Sequence, residues 1–519
     1  MELLALKTLL KQNYINHNSY SNLMIKKNGM RFLVKDMDIA TGGSFIAILN
    51  HDDAIRLDLH LGDRILVKYR HRKITCIVDI SESEKAVSRG RLGLFEEVLD
   101  SLQVKNNQLV NIQFTNKPES VQHIKDKLDG KILNYKELLH ITADITNDRL
   151  SDIEKTYFVA GSYIRGLNLD EIINLTKAMV QTGKKIKFSG ITLDKHSIGG
   201  VPGNRTTMII TPIIAAAGFT MAKTSSRAIT SPAGTADVME CLANVTLTEK
   251  QIKKVVHKVH ACIAHGGAIN LAPADDKIIT VEHPLSIDAE GQLVASVMAK
   301  KYSVSSKHVL IDIPRGKSTK VKTRKQARRL SKIFEKVGQK LGMNVKVIIT
   351  DGSQPIGRGI GPLLEAEDVL AVLKNDPLAP RDLREKALMM AGLLLEMTGK
   401  YRNGLKKALE LLESGQALVK MNQIIAAQGK QKLLELGRYH FHAKSARTGK
   451  IREIDNLVIS HLARIAGTPL DKGAGLYLNK HVGEQISKGE VLYTVYAENE
   501  FKLKSTIALL KKNDGYLVK

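Results

Sequence analysis

The stretch that decides the fold reads DKHSIGGVPGNRTT, from Asp194 to Thr207. It follows the strand-like segment KIKFSGI and leads into an uncharged run of 17 residues, Thr206 to Ala222. Glycines expose backbone N–H groups, hydroxyls add donors, and the N-terminus of a helix favours an anion. Because no Gly-Lys-Ser/Thr closes the stretch, it is not a P-loop. It indicates either an anion-binding turn between a strand and a buried helix or an ordinary loop.

A second stretch rich in hydroxyls, TSSRAITSPAGTADVME, occupies residues 224–240 after the uncharged run. Two such loops flanking one helix could converge on a single anion. The alternative is that Ser225 and Thr235 cap helices and that Asp237 and Glu240 are solvated acids of a first helical turn.

Length and composition narrow the class of protein. At about 150 residues per domain, 519 residues provide several domains. With 43% apolar and 25% charged residues, the chain resembles soluble globular proteins rather than fibrous or low-complexity ones. The formal net charge of +25 favours anionic partners: nucleic acid, membrane lipid or phosphorylated small molecules. The widely spaced Cys76, Cys241 and Cys262 predict neither disulfides nor a cysteine-rich metal site, and fit a reducing cytoplasm.

Neither the N-terminus nor the uncharged run indicates a membrane protein. Lys7 and Lys11 interrupt the N-terminal apolar stretch, which argues against a signal peptide. The uncharged run contains Pro212 and Gly218 and reaches only the lower edge of the length that spans a bilayer. We therefore expect a buried helix there and no membrane partner.

The hydrophobic pattern changes along the chain. Short apolar runs between turn signals predict strands from about residue 30 to 100, and helical spacing follows from about 119 to 184. Strand-like and helix-like pieces then alternate, which predicts a sheet covered by helices and a multidomain α/β fold. The predicted domains are an N-terminal extension with a β-rich domain at 1–105, a helical domain at 106–185, a large α/β phosphate-binding and catalytic domain with a central sheet at 186–435, and a C-terminal α+β domain at 436–519.

Residues 301–332 raise the possibility of nucleic-acid binding, since they hold eleven lysines and arginines and one acid, Asp312. Tyr302 is the only aromatic residue there, so stacking platforms are absent. Apolar residues from Leu330 to Leu341 share one helical face, which leaves the basic residues on the solvated face. We therefore expect no nucleic-acid partner.

Several motifs together resemble one enzyme family. DKHSIGG, SSRAITSPAGTADVME, LAPAD at 271–275 and ASVMAKK at 295–301 resemble the thymidine and pyrimidine-nucleoside phosphorylase family in order and spacing. The resemblance covers nearly the whole chain, and GTPLDKGAGLYL is similar to the C-terminal domain of that family. The β-rich residues 30–100 and TDGSQPIGRGIGPLLEAEDVL at 350–370 are more similar to the extended branch that includes AMP phosphorylase.

This resemblance implies phosphorolysis, in which inorganic phosphate, the co-substrate, attacks the anomeric carbon and releases a free base. It implies no metal and no cofactor. A dianionic nucleophile needs one cation for charge and several hydroxyl and N–H donors for orientation. The residues that the resemblance implies as phosphate ligands are Lys195, Ser197, Gly199, Gly200, Thr207, Ser225 and Thr235.

The resemblance also implies residues on the side of the base. Negative charge grows on the leaving base in the transition state, so a donor placed there accelerates the reaction. His196 and Lys300 match catalytic positions of the family, and Asp288 matches the proton donor of the AMP phosphorylase branch. Substrate contacts are implied for Ser226, Arg227, Ala228, Ile229, Thr230, Ser231, Ser296 and Lys320, with Lys320 on a substrate phosphate.

One departure from the family leaves the substrate open. Thymidine phosphorylases place an arginine after LAPAD to read the pyrimidine, but here Glu282 and His283 occupy that region. An ionised acid cannot donate to a pyrimidine carbonyl. We expect a thymidine phosphorylase-like reaction that yields thymine and 2-deoxyribose 1-phosphate. The alternatives are AMP phosphorolysis to adenine and ribose 1,5-bisphosphate, favoured by Lys317 and Lys320, and an inactive scaffold. The family also implies a homodimer through the helical domain, or a larger homo-oligomer.

Overall fold

The structure is a computed structural model that describes residues 30–43, 45–228, 231–282, 284, 287 and 289–519. Residues 1–29, which belong to the predicted N-terminal extension, lie outside the described residues. The chain divides into two compact units. The first comprises the residues up to Gly166 with Lys277–Ile287, and the second comprises Leu167–Asp276 with Asp288–Lys519.

A closed β-barrel forms the start of the first unit. Alternate residues of its strands face the core, as Phe32 and Val34 are buried while Leu33 between them is exposed. The strand order around the barrel is β1-β5-β2-β4-β3-β6. Its elements are β1 (Met30–Asp36), β2 (Ile46–Asn50), α1 (His51–Arg56), β3 (Arg64–Tyr69), β4 (Arg72–Ser81), β5 (Arg91–Leu94), α2 (Glu96–Leu102) and β6 (Leu109–Phe114).

Three helices follow the barrel in the first unit: α3 (Glu119–Leu128), α4 (Tyr135–Thr146) and α5 (Asp152–Arg165). Asn134 and Ser151 start α4 and α5 with capping boxes, in which the cap side chain and an acid three residues later satisfy backbone donors reciprocally. Glu154 of α5 also accepts a hydrogen bond from the buried Arg64 of β3, so these helices pack against the barrel.

The second unit contains parallel strands covered by helices. Strands β7, β10 and β11 form a parallel sheet, β8 and β9 pair in parallel, and a bridge between Thr192 and Thr220 joins the two groups. The boundary between the units falls within α10. The elements are α6 (Leu169–Gln181), β7 (Leu193–Ser197), α7 (Thr206–Ala216), β8 (Met221–Ser225), α8 (Thr235–Glu240), α9 (Glu249–Val259), β9 (Ala261–His265), a 3-10 turn (Gly267–Ile269), α10 (Pro273–Glu282), α11 (Glu290–Ser303), β10 (His308–Arg315), α12 (Arg324–Lys340) and β11 (Asn344–Asp351).

The uncharged run forms the buried helix α7, as predicted, and ends in strand β8. The strand before the glycine-rich stretch lies elsewhere than predicted. KIKFSGI at 185–191 does not form a strand. The backbone N–H of Ile186 donates instead to the carbonyl of Ser303, at the end of α11. Strand pairing begins only at Leu193, so the first four residues of DKHSIGG belong to β7 rather than to a turn. In the described part of the chain, the helices are too short or too polar to span a membrane.

The remaining helices and the C-terminal sheets complete the second unit. Strand β12 pairs with β15 in a four-stranded sheet of order β12-β15-β17-β13. This sheet therefore combines a strand that precedes α14 to α16 with strands that follow them. The mixed α/β multidomain fold that the sequence predicts is thus confirmed. The elements are β12 (Gly359–Ile360), α13 (Pro362–Leu373), α14 (Arg381–Met397), α15 (Gly404–Glu413), α16 (Gln416–Gln428), β13 (Tyr439–Lys444), β14 (Gly449–Ile454), α17 (Asn456–Ala466), β15 (Gly475–Leu478), β16 (Gln485–Ile486), β17 (Val491–Ala497), α18 (Glu500–Leu510) and β18 (Tyr516–Val518).

Candidate active site

The glycine-rich stretch is built around a buried lysine on β7. The Lys195 side chain is 1% exposed, and its Nζ donates to the hydroxyl of Thr206 over 2.9 Å. Its charge is balanced by Asp312 of β10, whose Oδ2 lies 3.9 Å from Nζ. Burial lowers the pKa of Lys195 to about 8, although Asp312 opposes this shift. A cation is therefore held where α7 begins.

Two further buried lysines, which the sequence analysis did not assign, surround Lys195. Lys301 donates to Asp194 over 2.8 Å, and Lys223 donates to the carbonyl of Lys195 over 2.7 Å. Lys223 also lies 3.4 Å from Asp194. A lysine inside the apolar strand β8 was the only signal in the sequence for this network. Burial lowers the pKa of Lys223 well below its ordinary value, although Asp194 opposes this shift.

Asp312 receives two hydrogen bonds and forms an ion pair with a further lysine. Its carboxylate accepts from the hydroxyl of Thr350 at 2.6 Å and from the amide of Asn204 at 3.3 Å, and Lys386 Nζ lies 3.3 Å away. Burial opposes its ionisation, yet Lys195 and Lys386 keep the pKa of Asp312 below its ordinary value. Asp312 therefore remains a carboxylate and fixes the base of the glycine-rich turn.

The predicted hydroxyl ligands on the two loops lie at one edge of the parallel strands. Thr192 and Thr220 form a parallel bridge, and five residues after each of them β7 ends at Ser197 and β8 ends at Ser225. Ligands of open α/β sheets bind outside this carboxyl edge. Thr207, in the first turn of α7, is buried.

Arg205 connects the two predicted loops. Its guanidinium donates to the hydroxyl of Thr235 at 3.2 Å and to the carbonyl of Ala233 at 2.7 Å. The buried Glu365 of α13 pairs with the same guanidinium. The residues just before α7 and α8 are therefore held together, which places Thr235 beside the glycine-rich turn.

A close backbone approach joins the glycine-rich turn to the loop before α12. Gly199 and Gly200 both have positive φ, 89° and 88°. A Cβ atom on Gly200 would lie 2.9 Å from the backbone nitrogen of Lys320, whereas one on Gly199 would meet open space. Only glycine at position 200 permits this contact. The exposed Lys320 is thereby placed next to the turn.

Acids of α8 bind Arg227 and Ala228 at the start of the loop 226–231. Arg227 makes two hydrogen bonds of 2.6 Å to Glu240, which hold the pKa of Glu240 at about 2. Asp237 accepts from the backbone of Ala228 at 2.7 Å. One interpretation of the sequence is that Asp237 and Glu240 are solvated acids of a first helical turn. That interpretation is wrong, because both carboxylates bind groups of the loop. The Ser226 backbone carbonyl accepts from the Ser225 hydroxyl, and the Ser231 hydroxyl donates to Ala233. Ile229 and Thr230 lie outside the described residues.

The residues expected on the side of the base fall in β7 and α11. Lys300 Nζ lies 2.6 Å from Asp275, which connects ASVMAKK to LAPAD. Ser296 lies one helical turn before Lys300 on α11 and is half-buried. Burial, together with the ammonium groups of Lys301 and Lys223, lowers the pKa of His196 well below its ordinary value. A neutral imidazole results. The predicted proton donor, Asp288, lies outside the described residues.

Comparison with known proteins agrees with these motifs. The model of the "Glycosyl transferase family, a/b domain" matches residues 189–418, that of its "helical bundle domain" matches 121–183, and that of the "Pyrimidine nucleoside phosphorylase C-terminal domain" matches 450–516. "AMP phosphorylase 1" of Archaeoglobus fulgidus is 46% identical over 471 residues, which are 90% of this chain and 93% of the relative. The chain belongs to the thymidine and pyrimidine-nucleoside phosphorylase family. The resemblance seen in the motifs is confirmed.

Other members of this phosphorylase family are similar over comparable lengths. The AMP phosphorylase of Methanococcus vannielii is 42% identical, over 93% of this chain and 97% of its own. A protein of Methylococcus capsulatus provisionally named a thymidine phosphorylase is 42% identical, over 87% of this chain and 89% of its own. Family membership makes the chain a pentosyltransferase of the nucleoside phosphorylase type, as predicted.

A solved structure supports the fold alone. Anthranilate phosphoribosyltransferase of Thermus thermophilus has a TM-score of 0.51 and 17% identity to this phosphorylase family member, and covers 59% of this chain and 99% of its own.

Proposed function

We propose that this protein catalyses phosphorolysis of AMP to adenine and ribose 1,5-bisphosphate. The observation that carries the proposal is the buried Lys195 at the point where two loops rich in hydroxyls meet. Similarity to AMP phosphorylases at 42–46% identity favours this alternative over the thymidine reaction that the motifs first suggested.

In the proposed reaction, an oxygen of inorganic phosphate attacks C1′ while the bond between C1′ and the base nitrogen breaks. Lys195 supplies charge for the phosphate dianion, and Ser197, Thr207, Ser225 and Thr235 supply hydroxyl donors, with the backbone of Gly199 and Gly200 open to it. Ordered donors on one edge orient the nucleophile before the reaction, so less order has to be created in the transition state. Neither a metal nor a cofactor takes part in this proposal.

The leaving base departs with the electron pair of the broken bond and takes a proton. Asp288 is the proposed donor of that proton, and neutral His196 with Lys300 and Ser296 provides hydrogen bonds on the base side. Residues 226–231 contribute substrate contacts, and Arg227, being held by Glu240, keeps this loop in place.

The 5′-phosphate of AMP is assigned to Lys320. Its position beside Gly200 supports this assignment, since the same turn then contacts both the attacking phosphate and the loop that carries Lys320. Lys317, the other lysine of this loop, lies 2.8 Å from Glu453.

Thymidine phosphorolysis is the second candidate, because the relative from Methylococcus capsulatus carries that provisional name. Phosphate-dependent release of free base from thymidine, uridine, AMP, CMP and UMP, followed by chromatography, separates the two. Adenine release with ribose 1,5-bisphosphate as co-product supports the proposal. Thymine release with AMP inert overturns it, and no release from any substrate supports an inactive scaffold.

We propose further that the protein is a homodimer or larger homo-oligomer acting in the cytoplasm. The four domains predicted from the sequence, at 1–105, 106–185, 186–435 and 436–519, are retained in the proposal. The barrel of β1 to β6 supports a β-rich N-terminal domain, although β6 (Leu109–Phe114) lies beyond the boundary predicted at 105. The strands from Tyr439 onward support the C-terminal α+β domain. Light scattering of the purified protein tests the oligomeric state.

A further inference from the structure

Three donor atoms converge between helices α3 and α4. His123 Nε2 lies 3.4 Å from His140 Nδ1. Each carboxylate oxygen of Glu119 approaches one of these nitrogens, with Oε1 4.0 Å from His123 Nε2 and Oε2 3.5 Å from His140 Nδ1. Ligand atoms of a tetrahedral zinc site with bonds of about 2.1 Å are roughly 3.4 Å apart. The two nitrogens already have this spacing, and one oxygen of Glu119 lies within 4.8 Å of both.

The backbone fixes this arrangement. Glu119 and His123 are four residues apart and lie on one face of α3, while His140 comes from the middle of α4. Lys131, between the helices, donates to Asp126 of α3 at 3.0 Å and to Glu137 of α4 at 2.8 Å. Because these ion pairs hold the two helices together, binding of an ion costs little further loss of backbone entropy.

His123 brings a buried ring with an unpartnered nitrogen to the site. His123 is 9% exposed, and its Nδ1 is buried without a hydrogen-bond partner among the described residues. A ring nitrogen of His123 lies within 4.8 Å of carboxylate oxygens of Asp126 and Glu137. A metal ion held between His123 Nε2 and His140 Nδ1 would bind a lone pair of each ring.

The ligand types narrow the choice of ion. Two imidazole nitrogens and one carboxylate suit zinc, and three protein ligands leave a fourth position for water. Glu119 is 70% exposed and His140 is 31% exposed, so solvent reaches the site. We propose that Glu119, His123 and His140 bind a zinc ion that cross-links α3 to α4. The site is separate from the proposed phosphorolysis and needs no part of it.

Zinc titration of the full chain, stripped with a chelator, tests the proposal by calorimetry. We expect one zinc ion per chain, proton release on binding, weaker binding at pH 6 than at pH 7.5 and a higher Tm with zinc. His140→Gln and Glu119→Gln, both at solvent-accessible positions, should weaken binding by more than about tenfold. The exposed His461→Gln on α17 is the matched control and should bind as the native protein does.

Cobalt supplies a readout that stability does not affect. Cobalt bound by these three ligands and water should give the visible absorption of a four-coordinate ion, and this absorption should be lost in His140→Gln at unchanged helical content. The absence of stoichiometric zinc binding, or equal binding by His140→Gln and the native protein, would overturn the proposal. Equal weakening by His461→Gln would do so too, because it would show general binding to surface histidines.

Discussion

The ammonium group of Lys195 lies 2.9 Å from the hydroxyl of Thr206, so a buried charge on β7 is tied to the first turn of α7. If this charge binds phosphate, Lys195→Met should keep the packing of the side chain and lose phosphate-dependent turnover by at least about 100-fold. The Tm should change far less than the activity. Lys187→Met, at an exposed position before β7, is the control, and equal activity of the two variants would contradict the assignment.

The low pKa of Lys195 predicts a pH profile. Burial brings this pKa to about 8, so the free enzyme loses the positive charge as the pH rises through that value. The kcat/KM for phosphate should therefore fall above about pH 8. An arginine keeps its charge throughout this range, so whatever activity Lys195→Arg retains should not show the fall. A native profile that stays flat to about pH 9 would exclude Lys195 as the titrating ligand.

Gly200→Ala should affect both stability and substrate binding. Its φ of 88° alone costs about 1 kcal/mol for alanine, and its Cβ would lie 2.9 Å from Lys320 N. We expect a lower Tm and a lower kcat/KM for AMP. Gly218→Ala is the matched control, since its φ is 85° and its Cβ meets open space. It should lose a similar amount of stability from strain and keep its activity.

Lys320→Gln tests the contact with the 5′-phosphate. Loss of a charged hydrogen bond to that group should lower kcat/KM for AMP by roughly 10- to 100-fold. The kcat/KM for adenosine, which lacks the phosphate, should not change. Lys322→Gln, exposed two residues later, controls for the general charge of the loop. An equal loss of kcat/KM with AMP and adenosine would show that Lys320 does not act through the 5′-phosphate.

Glu365→Gln should destabilise the second unit. It leaves Arg205, whose side chain is 12% exposed, without its carboxylate partner, a change that typically costs about 3 kcal/mol. Because Arg205 also binds Thr235, the KM for phosphate should rise as well. Chemical denaturation and phosphate kinetics measure the two effects. Glu367→Gln, on the exposed side of α13, is the control and should leave the stability and the KM for phosphate unchanged. If Glu365→Gln changed neither quantity, the ion pair would be dispensable.

Local patterns predicted the parts of the fold that depend on near neighbours in sequence. Continuous apolar residues identified α7, and alternating residues identified strands of the barrel. The start of β7 could not be predicted in this way. Its first residues are Leu193, Asp194 and Lys195, and two charges become compatible with a buried strand only through partners far along the chain.

The candidate site shows the same limit. Glycines and hydroxyls marked both loops, because the need for backbone access and donors is local. The ion pair between Arg205 and Glu365 joins residues 160 positions apart, and Lys386 reaches Asp312 from α14. No periodicity or spacing links such residues. Their pairing is decided by the arrangement of helices around the sheet.

Among the residues that the structure describes, the strands of the barrel β1 to β6 pair only with one another, between Met30 and Phe114. During synthesis the barrel can therefore complete this strand pairing as soon as this stretch has left the ribosome. The rest of the first unit must wait, because Lys277, which donates to the carbonyl of Thr146, is made much later. The barrel can therefore fold early in synthesis, whereas the first unit is completed only after half of the chain has been made.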